Sequence, residues 1–400
     1  KWEKHSCGFL KSFGERAFQA NKLVQLSQKF PKAPFEEIHK VVLTATKLQK
    51  ECCHGDMIEC LDDRVEVMAY ICSKQAVFSS KIKDCCEKPI VDREVCILQA
   101  DLDEKPADLP SIAGQYIEST EVCKHYEEGK DVFLAHFVYE YSRRHPEFSS
   151  QMLLRTGKGY QDTLDKCCKT ENPPECYGKA GEELARHIQE SQEILKTHCS
   201  FYTSQGKDPF QKMVLVRYTK KMPQLPAEEL IEISKKLTGV GVKCCPLSED
   251  KRLSCSEKHL SMVLFEICRQ HEASPVNNHV THCCTDSYSE MRPCFTKLGV
   301  DDSYVPPEFC PSTFLFDEQL CTAPEEARLK KQLTFLVKLI QLKPQIEDEQ
   351  LKKLVTDYHA MEEKCCQAEN KQECFSTEGE KLTQEGKALL GVQLNVPGLQ

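Results

Sequence analysis

Several patterns are missing from this sequence. No apolar run approaches the roughly 18–20 residues that a membrane span needs, so no membrane insertion is expected. Alternating β-branched runs are few and Asn-Gly turns are absent, which removes the strand and hairpin signals. Positive charge is in deficit: 53 Lys and Arg stand against 62 Asp and Glu, a formal net charge of −9. That balance argues against nucleic acid and anionic membrane surfaces as partners. No Asn-X-Ser/Thr acceptor occurs, so N-glycosylation is not expected. The chain opens on Lys1 rather than Met and shows no signal peptide; the expectation is a mature or truncated extracellular protein.

Cysteine, by contrast, is abundant: 25 in 400 residues. A reducing cytosol does not maintain so many thiols, so an oxidising compartment is implied. A chain of this length can bury its own cores, which makes the cysteines part of a repeated architecture rather than a substitute for a core. Adjacent pairs stand at 52–53, 85–86, 167–168, 244–245, 283–284 and 365–366. Shifting the chain by 192 residues lays Cys7, Cys52 and Cys53 on Cys199, Cys244 and Cys245. As the shift grows to 198, every cysteine from 60 to 176 meets one between 255 and 374. Phe18, Pro31 and Pro34 likewise meet Phe210, Pro223 and Pro226. This is an internal duplication, and it divides the chain into domains at 1–190 and 191–392 with a tail at 393–400. A finer repeat is a lone Cys, a gap of 44 or 45, a Cys pair, and a further Cys seven to ten residues on. It starts at Cys7, Cys123, Cys199 and Cys321, so each domain reads as two related halves.

The long gap has a physical meaning. "FGERAFQANKLVQLSQKF" (13–30) carries apolar residues at helical spacing, and Pro31 and Pro34 end it. "FEEIHKVVLTATKLQKECC" (35–53) is a second amphipathic stretch. Each arm is about 27–30 Å long at about 1.5 Å per residue. An antiparallel hairpin of equal arms returns its last residue to its first, where a disulfide can close it, and the second Cys of the pair is then left to reach onward. The fold class is all-α: two homologous, disulfide-stapled helical domains, each of two subdomains.

"KECCHGDMIEC" (50–60) raises the question of metal. Cysteine-based zinc sites use C-x2–4-C spacing, and no two cysteines here have two to four residues between them. Disulfide staples are the reading for the cysteines. His54, Asp56 and Glu59 stay open: half of an N/O zinc site, or a turn at Gly55 flanked by solvated acids. Cys310, in "VPPEFCPST", has no repeat partner and is a free thiol, an intermolecular bridge or a blocked thiol. Apart from such a bridge, a monomer is expected.

One further stretch combines apolar and cationic character. In "PFQKMVLVRYTKKMPQL" (209–225), Phe210, Val214, Arg217 and Lys221 share a helix face and Tyr218 adjoins it. A cation there either snorkels to water or meets an anion.

Segments such as "LSQKFPKAPFEE", "ECCHGD", "KDCCEKP", "EYSRRHPEFS", "LVRYTKK" and "MRPCF", set in the repeated Cys-Cys scheme, resemble the serum albumin family over its second and third domains. The resemblance covers residues 1 to about 392. It implies the pairings 7–53, 52–60, 72–86, 85–96, 123–168 and 167–176, then 199–245, 244–255, 268–284, 283–294, 321–366 and 365–374, with Cys310 left over. It implies a secreted plasma carrier of long-chain fatty acids, hormones, pigments, drugs and other small apolar anions, with a colloid osmotic role and no required cofactor. Zinc or calcium would be further cargo, through His54, Asp56 and Glu59, the remaining zinc ligands coming from the family's first domain.

The family match places Arg217 and Tyr218 on a carboxylate-clamping pair, with Thr296 at a hydroxyl position. Ser149, Arg155 and Arg292 fall on a second carboxylate seat, deeper in the channel of the same, third domain. Arg16, Lys158 and Ser287 fall on a shallower site between the domains, and Arg64 on the basic position of the second domain's pocket, lined by Ile71 and Ile97. Some positions depart from the family. Asn21 and Ser6 replace a tryptophan and a lysine, and Asp208 and Gln332 replace a tyrosine and a lysine. Of three histidines used for recycling through the neonatal Fc receptor, only His271 is kept, Asp317 and Leu342 standing at the others. These departures point to a non-mammalian member. Other readings are a different carrier of the family, of the alpha-fetoprotein or afamin type, or slow pseudo-esterase chemistry at Tyr218. The expectation is a carrier and not an enzyme.

Overall fold

The computed structural model describes residues 2–391, and the side chains from residue 6 onward. The expected tail at 393–400 lies outside the described residues. Among the described residues, helices run from Trp2 to Leu390 with no strand, joined by turns, by two longer connections at 100–112 and 298–310, and by a single 3-10 segment, Pro311–Phe314.

The first hairpin shows how the sequence produces this. Its arms are Trp2–Lys29 and Phe35–His54. Pro34 caps the second arm in an extended conformation, and Glu36 and Glu37 follow in its first turn, where carboxylates face the positive end of the helix dipole. The pattern returns at Pro226 with Glu228 and Glu229, and at Pro324 with Glu325 and Glu326. Closure of the hairpin brings Cys7 to Cys53, with their Cα atoms 5.5 Å apart, while Cys52 reaches Cys60 eight residues on. Bridges 72–86, 85–96, 123–168, 167–176, 199–245, 321–366 and 365–374 are formed as well. Cys244, Cys255, Cys268, Cys283, Cys284 and Cys294 are also disulfide-bonded, and Cys310 is free and exposed.

The first arm differs from the expected uninterrupted helix. It extends back to Trp2, and Gly14 breaks it with φ +87°. Gly206, the residue a shift of 192 lays on Gly14, sits at φ +89° between helices Ala180–Gln205 and Lys207–Lys221. A side chain disfavours that conformation, so both repeats place a glycine at the same break.

The chain divides into two compact units. One comprises 1–198, 246–265 and 283–293; the other comprises 199–245, 266–282 and 294–400. Within the first unit, one core gathers Phe30, Ile38, Val42, Ile71, Phe78 and Tyr139. A second is aromatic, built on Tyr116, Tyr126, Phe137, Tyr160 and Tyr177. Phe137 stacks on Tyr160 at 4.1 Å, and the Tyr160 hydroxyl donates to the Tyr116 carbonyl at 2.5 Å, so the ring is buried without stranding its polar end. In the second unit Phe314, Phe335 and Tyr358 pack edge-to-face and stacked.

Candidate functional site

Ser149, Arg155 and Arg292, expected deep in the channel of the second repeat, come together within the first unit instead. Ser149 caps the Ser150–Cys167 helix, its Oγ accepting the Met152 N–H at 3.1 Å. Arg155 lies on the same helix and Arg292 on the Met291–Lys297 helix. All three meet the carboxylate of Glu257, which comes from the Glu249–Gln270 helix and is 2% exposed. The Ser149 hydroxyl donates to one of its oxygens and Arg155 Nη2 to the other. Arg292 Nε lies 3.8 Å from the oxygen that Arg155 holds. Beside this cluster Gln151 donates to Tyr288, whose ring packs against Phe9 at 4.6 Å and Phe13 at 5.6 Å. Two guanidinium groups and a hydroxyl thus converge on one buried carboxylate next to an aromatic wall.

The cluster expected at Arg217, Tyr218 and Thr296 lies in the second unit. Arg217 and Thr296 are exposed and Tyr218 is half-buried. The residue that ties them is Lys221, one turn beyond Arg217. It is 9% exposed; its amine donates to the Leu298 carbonyl at 2.6 Å and to the Thr296 carbonyl at 3.4 Å, and it stands 5.8 Å from the Tyr218 ring centre. Burial, then the Arg217 charge, push its pKa down to about 8. The sequence placed Lys221 on the right face but gave no reason to single it out, because the carbonyls that hold it lie about 75 residues away.

The other expected residues are placed as follows. Arg64 lies 3.8 Å from Glu94, and Ile71 and Ile97 are buried in the core of the first unit. Glu94 also acts on Lys22, whose pKa burial lowers against the opposing pull of that carboxylate. This half-buried lysine, next to Asn21, was not apparent from periodicity. Arg16 pairs at the surface with Asp131 at 2.7 Å, Lys158 with Asp162 at 3.5 Å, and Ser287 with Ser289 at 3.1 Å, so each of these three takes a separate partner. Asp208 and Gln332 line a cavity of about 960 Å³ together with Lys207, Lys235 and Arg328. Asp317 and Leu342 line another, of about 760 Å³, with Cys310, Lys330, Lys331 and Lys338. His271 lies 2.7 Å from Glu229.

His54, Asp56 and Glu59 are all exposed. Gly55, at φ +93°, ends the helix that carries His54, and Asp56 precedes Met57–Ser73. Among the described residues no three His, Cys, Asp or Glu side chains are gathered so as to hold a metal ion. No helix among them is long and apolar enough to cross a membrane.

Comparison with known proteins agrees with this architecture. The Serum albumin family profile matches residues 5–177 and 197–375, once per repeat. Albumin of Gallus gallus is 52% identical over 390 residues, covering 98% of this chain and 63% of that protein. Albumin of Canis lupus familiaris is 49% identical over 388 residues, covering 97% and 64%. The chain therefore spans a little under two thirds of the length of these relatives. A crystal structure of human afamin superposes with a TM-score of 0.86 at 38% identity, covering 95% of this chain and 68% of that one. With two profile matches, albumin relatives near 50% identity and an all-helical fold stapled by disulfides, the chain belongs to the serum albumin family.

Proposed function

We propose that this protein is a secreted carrier of blood plasma that binds long-chain fatty acids and other small apolar anions, through two homologous domains at residues 1–190 and 191–392. The observation that carries this is the convergence of Ser149, Arg155 and Arg292 on a buried carboxylate. The donors that would hold a cargo carboxylate have the geometry to hold one, and aromatic side chains lie beside them. Charge-assisted hydrogen bonds of this kind are short and strong, and an acyl tail adds about 0.8 kcal/mol per buried CH2. Arg217, Tyr218, Thr296 and Lys221 form a second seat of the same chemistry. Arg16, Lys158, Ser287 and Arg64 are proposed as weaker anion contacts. Zinc or calcium is proposed as minor cargo, with His54, Asp56 and Glu59 supplying part of a ligand set.

Titration of a carboxyl-¹³C fatty acid, followed by NMR, tests the reading seat by seat. A charge-assisted bond is worth about 1.5–3 kcal/mol, so Arg217→Ala should weaken one bound carboxylate about 10- to 150-fold. Tyr218→Phe should cost less, and the matching fatty alcohol should bind weakly and respond to neither change. If every tightly bound carboxyl signal is unchanged in Arg217→Ala, that seat is wrongly assigned.

A second reading, slow acyl transfer from an activated ester to the Tyr218 oxygen with departure of the ester's alcohol, draws support from Lys221. An amine with a pKa of about 8, close to the phenol ring, is partly neutral at neutral pH and could take up the phenol proton. A burst of acylation without steady turnover would identify it.

A further inference from the structure

Glu257 played no part in the reading of the sequence, yet it occupies the centre of the seat formed by Ser149, Arg155 and Arg292. We propose that its carboxylate is a built-in competitor, which fills the seat when no cargo is bound and yields when a carboxylate enters. The inference rests on the reading of that seat as a cargo site.

The alternative is that Glu257 merely orients the two arginines. The geometry argues otherwise, because each donor is positioned independently of it. Arg155 Nη1 donates to the Ser289 carbonyl at 3.0 Å while Nη2 goes to Glu257. Arg292 Nη2 lies 3.5 Å from Ser191 Oγ. Ser149 is held by its capping bond to Met152 N–H at 3.1 Å. An orienting acid would leave donors directed at a vacant position. Here the hydroxyl and the Arg155 guanidinium are spent on the two oxygens of Glu257, and the Arg292 guanidinium adjoins one of them. Glu257 therefore presents to the seat the same functional group, with the same charge, that a fatty acid would bring. Two carboxylates cannot share those donors without close like-charge contact, so entry of cargo requires that Glu257 give up at least part of its bonding. Two cations and one anion also leave the seat with a single positive charge, matched to a monoanion.

The test uses the full chain, a carboxyl-¹³C long-chain fatty acid and NMR titration of the wild type, Arg155→Ala, Glu257→Gln and Glu257→Asp. The Arg155→Ala spectrum identifies the seat by the bound-carboxyl signal it loses. In Glu257→Gln that same signal should saturate at about tenfold lower free fatty acid, since the competing charge is gone while an amide of the same shape remains. Should Glu257→Gln fail to fold by circular dichroism, Glu257→Asp keeps the charge but withdraws it by one methylene, and should tighten binding about threefold. Unchanged or weaker binding in the folded Glu257 variants would overturn the proposal and leave the seat itself standing. An Arg155→Ala spectrum that keeps every bound-carboxyl signal would remove the seat, and the proposal with it.

Discussion

If the Arg217 cluster holds an anion as proposed, Lys221 is the residue through which pH should act on its binding. Its amine is buried, near Arg217, and its pKa is pushed down from the usual 10.5 to about 8. An arriving carboxylate favours the charged amine, so binding is strongest when Lys221 is already protonated. Affinity at the Arg217 seat should therefore be level below about pH 7 and fall as pH rises through 8 toward 9.5. Lys221→Met should be weaker at pH 7 and largely lose this slope, measured by fatty acid titration at a series of pH values. The sign for stability is opposite. Between about 8 and 10.5 the unfolded chain holds the proton that the folded amine has released, so the cost of burying Lys221 shrinks as pH rises through that window. What the sequence disclosed at this scale was composition and spacing. Arg217, Tyr218 and Lys221 were legible as neighbours on one helix, but Glu257 was not legible at all. In "SCSEKHL" it reads as one more acid on a helix, and its meaning depends on Arg155, 102 residues away.

At the scale of elements the hairpins were legible because their determinants are local. Pro31 and Pro34 stop one arm, Glu36 and Glu37 favour the start of the next, and equal arm lengths return Cys53 to Cys7. The break at Gly14 was not legible, since a lone glycine in a helical pattern is usually tolerated; its repeat at Gly206 shows that it is architectural. Helix contacts depend on small residues in a similar way. On the Lys371–Leu390 helix a Cβ added at Gly386 would stand 2.4 Å from the ring of Phe314, which is fully buried. On the Ala227–Cys244 helix a Cβ at Gly239 meets nothing within 4 Å. Gly386→Ala should thus destabilise the protein by about 1–3 kcal/mol through overpacking. Gly239→Ala should be neutral or stabilise by up to about 1 kcal/mol, because alanine is the better helix former. Denaturant unfolding of both variants checks the pair, and a Gly386→Ala protein as stable as Gly239→Ala would show that Phe314 moves aside freely.

For the molecule as a whole, the duplication was the most visible feature, since twelve cysteines matching twelve is a global pattern that no local ambiguity disturbs. The proposed ligand seats lay beyond that kind of reading, because such a cluster is made where distant helices meet. The same distribution of cysteines sets how the fold should fail. Bridges 7–53, 123–168, 199–245 and 321–366 each close a loop with a sequence separation of 45 or 46, and others close shorter loops of 8 to 14. On the chain-entropy model a bridge of the long kind restricts the unfolded state by about 4 kcal/mol. Net stabilities of folded proteins are only about 5–15 kcal/mol. Loss of a few such bridges should therefore exhaust the margin, even though the buried cores of the first unit remain apolar and chemically untouched. Full reduction and alkylation in native buffer at 37 °C should abolish the cooperative heat-absorption peak in calorimetry, while far-UV circular dichroism keeps part of the helical signal, as expected of a compact state without fixed packing. On the proposed function, the reduced chain should also lose the individually resolved carboxyl signals of bound fatty acid, since the cluster of Ser149, Arg155 and Arg292 exists only where separate helices are held in register. A reduced, alkylated protein that still melts in one sharp transition and still resolves its bound carboxylates would show that helix packing alone maintains the seats and that the bridges are dispensable to carriage.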